Sequence, residues 1–264
     1  MKQSIIQYTL LIALTTFAAC TKVININLND AAPQLVIQGN VTNQAGITTV
    51  SISKSINYSQ DNVFPTVSGA TVTIKDSTTG VTTPLTEITP GIYQTSTIVG
   101  TPAHTYLLNV LVNGNTYRAS STMPSPVTLD SITFQVNSGF GRTLINPMPN
   151  FQDPVGINNN YQFIQTINNK ITKKIFVFDD RLSDGKYIAR QLFNDSAYIQ
   201  PKDTIQLEMR CIDKNVFEYF KQLSGLDPTN GQPTAPTNPV SNISGGALGY
   251  FSAHTTQKKK AIVQ

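Results

Sequence analysis

The chain has 264 residues, enough for one large β domain or two smaller ones with real cores. Only 13% of residues are charged, about half of the usual ~25%, and Ser, Thr, Asn and Gln take their place. The formal charge of +4 is spread without a basic stripe or interleaved aromatics, which excludes nucleic acid as a partner.

The first segment reads as a leader. Lys2 supplies a positive start, and an apolar run from Ile5 to Phe17 is too short for a comfortable membrane span. Phe17-Ala18-Ala19-Cys20 resembles a lipobox, with Phe17 where leucine is usual. Residues 1–19 are therefore expected to be a lipoprotein signal peptide. Cys20 is expected to be the lipid-attachment site, holding the mature chain to a membrane through acyl chains without spanning it. The other cysteine, Cys211, is then left without a disulfide partner and reads as a buried small apolar residue.

Short β-branched runs follow, separated by Gly, Pro, Asn and Asp. They lie at Val23–Asn29, Leu35–Thr42, Thr48–Lys54, Ala70–Lys75, Gly91–Thr95, Thr105–Val112 and Asn115–Thr122. Asn113-Gly114 supplies the two positive φ angles of a type I′ hairpin turn. The spacing predicts an immunoglobulin-like β-sandwich over residues 20–126. Met123-Pro124-Ser125-Pro126 stops the last strand and marks the boundary.

Beyond it, strands are predicted at Ser131–Val136, Tyr161–Ile167, Lys174–Asp179, Tyr187–Phe193 and Thr204–Ile212. One helix is predicted over Lys214–Leu223, with Asp213 as N-cap, Val216, Phe217, Phe220 and Leu223 on one face, and Gly225 at its end. A Pro/Asn/Thr/Gly-rich loop spans 227–246. Ala247–Ala253 reads as a final strand, and Lys258-Lys259-Lys260 as an edge or terminal solubiliser. Residues 127–264 are thus expected to form a second antiparallel β domain, barrel or sandwich, with one helix. The whole chain is all-β in class.

These segments together resemble a family of Bacteroidota lipoproteins catalogued as domain of unknown function 4249. The resemblance rests on residues 23–30 and 35–42, His104-Thr105-Tyr106 and Asn113-Gly114. It extends through Phe151-Gln152-Asp153-Pro154, Phe178-Asp179-Asp180-Arg181 and, most specifically, residues 236–253. It implies an outer-membrane lipoprotein, often paired with a TonB-dependent transporter, and no catalytic residues or cofactors. Thr21-Lys22-Val23-Ile24-Asn25 carries no acid before Asp30, where surface-exported lipoproteins of that phylum tend to have acids. Which face of the outer membrane the chain occupies therefore stays open.

Candidate chemistry is sparse. Asp179, Asp180 and Asp184 could offer hard oxygens to Ca²⁺, but Asp184-Gly185 reads more simply as the tight turn of a hairpin loop. Binding of a partner or an unknown small ligand is assigned to Asp153, Arg181 and the segment containing Asn242, Gly245, Gly246, Tyr250 and Phe251. Asp-Ser/Thr triplets at Asp76, Asp130, Asp195 and Asp203 resemble O-glycosylation acceptors, with Ser131, Ser196 and Thr204 as expected sugar sites; Asx-turns are the alternative. The composite expectation is a non-enzymatic accessory subunit of a TonB-dependent nutrient transporter. An adhesive or structural envelope protein is the alternative, and a carboxylate-dependent hydrolase a third reading.

Overall fold

The computed structural model describes residues 32–57, 60–61, 63–139, 142–194, 199–226 and 238–264. The strand expected at Val23–Asn29, and with it Cys20, lies outside them. Among the described residues, sixteen strands and one helix follow one another. They are β1 Leu35–Thr42, β2 Thr48–Lys54, β3 Thr71–Asp76, β4 Thr82–Thr89, β5 Ile92–Thr95, β6 Thr105–Val112, β7 Asn115–Thr122, β8 Ser131–Gly139 and β9 Arg142–Gln152. After these come β10 Asn160–Ile167, β11 Lys170–Ile171, β12 Phe176–Asp179, β13 Tyr187–Ala189, β14 Thr204–Cys211, α1 Lys214–Gly225, β15 Ile243–Ser244 and β16 Leu248–Ile262.

The described residues are all-β and sandwich-like, with one helix and no closed barrel among them. One sheet path runs β11-β10-β14-β16-β1-β2-β5-β4-β3-β6-β7-β15, with β12 attached to β10. A second, three-stranded sheet runs β13-β9-β8. Neighbours are antiparallel except β1 and β16, which run parallel from Val36 opposite Leu248 to Thr42 opposite His254.

The first core is built by strict alternation. Tyr106, Leu108, Val110 and Val112 point inward from β6, facing Ile37 and Val41 of β1 and Val50 and Ile52 of β2. The β6–β7 turn is as expected, with Asn113 at φ 50° and Gly114 at φ 75°. A second core gathers Phe151, Tyr161, Phe163, Ile205, Leu207, Met209 and Cys211. The buried Cys211 thiol is pushed up by desolvation. A third cluster seats α1: Val216, Phe217, Tyr219 and Phe220 are buried, and Tyr219 and Phe220 stack on Tyr250 at 5.3 and 4.8 Å between ring centroids. Asp213 caps the helix by accepting from Val216 N at 3.0 Å, and Leu226 rather than Gly225 is its C-cap.

Met123 belongs to the first core and Val127 to the second, while residues 33–264 make one compact unit. The C-terminal segment serves both cores. Ile243, Ala247, Phe251 and Ala253 belong to the first core, and Val263 to the second. β16 accomplishes this by pairing with β1 over its first half and with β14 over its second, from Thr255 opposite Cys211 to Ile262 opposite Thr204.

Several expectations are corrected. β16 runs on to Ile262, so the lysine triplet is strand and not tail; Lys258 pairs with Glu208 at 3.3 Å, and Lys259 donates to the Asp130 carbonyl at 2.7 Å. β9 was not expected, because it contains Pro147 and Pro149. Their parity explains the exception. Pro147 O accepts from Leu192 N, on the edge away from β8, so both missing N–H groups face an edge paired with β13 only at Asn150–Gln152. β12 and β13 belong to different sheets, so residues 180–186 cross between sheets and form no hairpin.

Candidate functional site

The crossing segment creates the one place among the described residues where three potential metal ligands converge. Asp153 follows β9, Asp180 follows β12, and Asp184 lies in the crossing itself. Their carboxylate oxygens lie within 4.8 Å of one another. Asp153 is 1% exposed and Asp180 3%, while Asp184 is open to solvent.

Buried carboxylates need donors. Asp153 accepts from the Tyr161 hydroxyl and, at 3.1 Å, from Gly185 N. Asp180 accepts from Asn159 N at 2.6 Å, and Asp184 from Gly156 N at 2.7 Å. The Tyr161 hydroxyl is held above its ordinary range, first by burial and then by its bond to Asp153. The three aspartates thus stitch residues 153–159 to 180–186 while presenting hard oxygens of the type Ca²⁺ takes. The sequence expectation grouped Asp179 with Asp180 and Asp184. Instead Asp179 pairs with Arg181 at 2.7 Å, and Asp153 completes the cluster. Arg181 itself is exposed at the surface.

The C-terminal candidates are also placed. Asn242 clips the edge of β16: its Nδ2 donates to Phe251 O at 2.8 Å and its Oδ1 accepts from Phe251 N at 2.9 Å. Phe251 is fully buried in the first core, and Tyr250 is stacked under α1. Gly245 and Gly246 have φ of 90° and 82° and directly follow β15, which pairs with β7 at Arg118 and Ala119. Asn242 also lines an open groove of about 400 Å³ on the outer face of β3, β6 and β7, beside Lys75, Leu107, Arg118 and Ser120.

Ser131 opens β8 and is exposed; Thr204 opens β14 and is half-buried; Ser196 lies outside the described residues. Asp76 accepts from Thr78 N at 2.9 Å, the Asx-turn pattern, and also pairs with His104 at 2.8 Å.

Polar groups that sequence reasoning missed sit at the seam of the cores. Ser121 donates to Asp213 and accepts from Ala253 N at 2.8 Å, linking β7, α1 and β16. Burial holds the Asp213 carboxyl above its usual range. His254 is 1% exposed, bonded to Ser252 through Nδ1 at 2.9 Å, and its Nε2 has no partner among the described residues. Desolvation, helped by Arg210 and opposed by Glu208, pushes its pKa down to about 3. Only alternation in Ser252-Ala253-His254 hinted that these side chains share a face.

Residues 21–260 match a family described as a domain of unknown function, DUF4249. The chain belongs to the DUF4249 family. The match runs from the residue after Cys20 through nearly all of β16, so both cores and the aspartate cluster are DUF4249 territory. No curated protein matches the chain. No helix among the described residues is long and apolar enough to cross a membrane.

Proposed function

We propose that this chain is a lipid-anchored, non-enzymatic accessory subunit of a TonB-dependent outer-membrane transporter, serving as lid, tether or capture subunit. The observation that carries the reading is the placement of Cys20. A lipobox-like Phe17-Ala18-Ala19-Cys20 stands shortly before an all-β body whose first described strand opens at Leu35. Residues 21–34 limit the reach from lipid to β1 to about 50 Å at full extension, from ~3.3–3.6 Å per residue. A body held that close meets a neighbouring barrel at high effective concentration, so weak affinity suffices. The resemblance of residues 236–253 to transporter-associated lipoproteins supports the same partner.

The test is a pull-down of the tagged, lipidated chain from detergent-solubilised outer membrane, read by mass spectrometry. A stoichiometric TonB-dependent barrel is expected, together with an intact mass carrying acyl chains on Cys20. Correct lipidation and outer-membrane location without a barrel would transfer the assignment to an adhesive or structural envelope protein.

A further inference from the structure

A second cavity lies away from the aspartate cluster. It occupies about 280 Å³ between β12 and the stretch Arg190–Phe193 that follows β13. β12 pairs only with β10, while Leu192 N is bonded to Pro147 O of the other sheet. The cavity is therefore a crevice between two sheets, and Ser224 of the last turn of α1 also lines it.

Its lining has a consistent chemistry. Phe176 and Phe178 form an aromatic wall, and Phe193, 58% exposed, stands at the opening. The Arg190 guanidinium carbon lies 4.0 Å from the centre of the Phe178 ring. Among the described residues Arg190 has no carboxylate partner, although an arginine fork is the side chain best suited to a planar carboxylate. Among the described residues Gln191 Nε2 is buried without an acceptor, and a buried donor left unmade is costly. No acidic side chain is among the described lining residues. A guanidinium with no carboxylate partner and an amide donor with no acceptor among the described residues, together with Lys174 and the exposed Phe193 ring, therefore line one small space.

We infer that this crevice binds a small planar carboxylate, such as an aromatic acid, with its carboxylate on Arg190 and Gln191 and its ring against Phe193, since the Arg190 guanidinium already covers the Phe178 ring. The volume lies near the lower end of ligand pockets and suits a single ring. The inference goes beyond the transporter reading and does not require a barrel, so either can fail alone.

The experiment uses the full lipidated chain in detergent, with 4-fluorobenzoate as probe, read by ¹⁹F NMR against a detergent blank. Saturable binding is expected, with no matching binding of neutral 4-fluorobenzamide. Arg190→Gln is expected to weaken it about tenfold or more, since it removes a charge-assisted, two-pronged bond. Arg190→Lys, which keeps the charge and loses the fork, is expected to weaken it several-fold, to roughly a third or less. Phe193→Ala is expected to weaken it while leaving the unfolding midpoint in place. Absence of saturable binding, equal binding of the amide, or unchanged binding in Arg190→Gln would each overturn the assignment.

Discussion

The two cores are made of similar strands but treat polarity differently. In the first, β1, β2, β3 and β6 turn apolar side chains inward in strict alternation, and a buried polar group such as Thr48 is an exception. In the second, Asp153, Asp180, Asn150 and Asn159 are buried among or beside Phe151, Tyr161 and Phe163. The first is specified by which face is apolar. The second is specified largely by which donor meets which acceptor, and an unmatched group there costs more. β16 belongs to both, so the difference is testable along one strand.

The largest effect is expected at Gly249. A Cβ there would sit 2.0 Å from the Ile37 carbonyl oxygen, at a φ of 99°, where β16 enters its parallel pairing with β1. Gly249→Ala is expected to lose at least about 4 kcal/mol in urea unfolding, or to yield no folded protein. A loss under about 1 kcal/mol would mean that the strands do not meet in this register. Next come Phe251→Ala in the first core and Phe163→Ala in the second, each expected to cost about 3–5 kcal/mol. Tyrosine fluorescence and far-UV circular dichroism should give coincident transitions for both, because β16 ties the cores together. Two separate transitions would break that tie.

A third prediction uses pH. The folded chain holds His254 neutral, with a pKa of about 3 against an ordinary 6.5. The unfolded chain takes up the proton first as pH falls, so stability present above pH 6.5 is lost progressively below it. The loss from this group should reach roughly 2–3 kcal/mol by pH 4.5, and His254→Gln should flatten the slope. Asp213, held above its usual range, acts in the opposite sense and blunts the fall. An unchanged slope in His254→Gln would remove histidine burial as its cause. Asn242→Ala, which unclips Phe251, should cost about 1–2 kcal/mol by the same urea assay. Arg181→Gln breaks only a solvent-exposed pair with Asp179 and should leave the unfolding midpoint where it was. A clear shift there would reveal a second role for Arg181.

Local physics makes some elements of both regions readable. The Asn113-Gly114 turn, the alternation in β6 and the Asp213 cap depend on residues within one turn of each other, and all appear as expected. β4 was missed because Pro84 interrupts Thr82–Thr89 and Leu85 is its only fully buried side chain. β9 was missed because the harmlessness of Pro147 and Pro149 depends on which edge β13 leaves open. The sequence groups Asp179, Asp180 and Asp184 locally, whereas the third member of the cluster is Asp153, at the end of another sheet. No spacing rule reports which sheet a strand will join.

The pairing of Val36 with Leu248 also sets a timetable. β1 is synthesised early, yet its parallel partner follows about 210 positions later. Closing so long a loop is entropically slow, and contacts of this range mark slow-folding topologies. Until β16 arrives, β1 has a bare edge and β14 lacks one neighbour. A nascent chain wired this way stays unfinished, and open to chaperones, until β16 has been made.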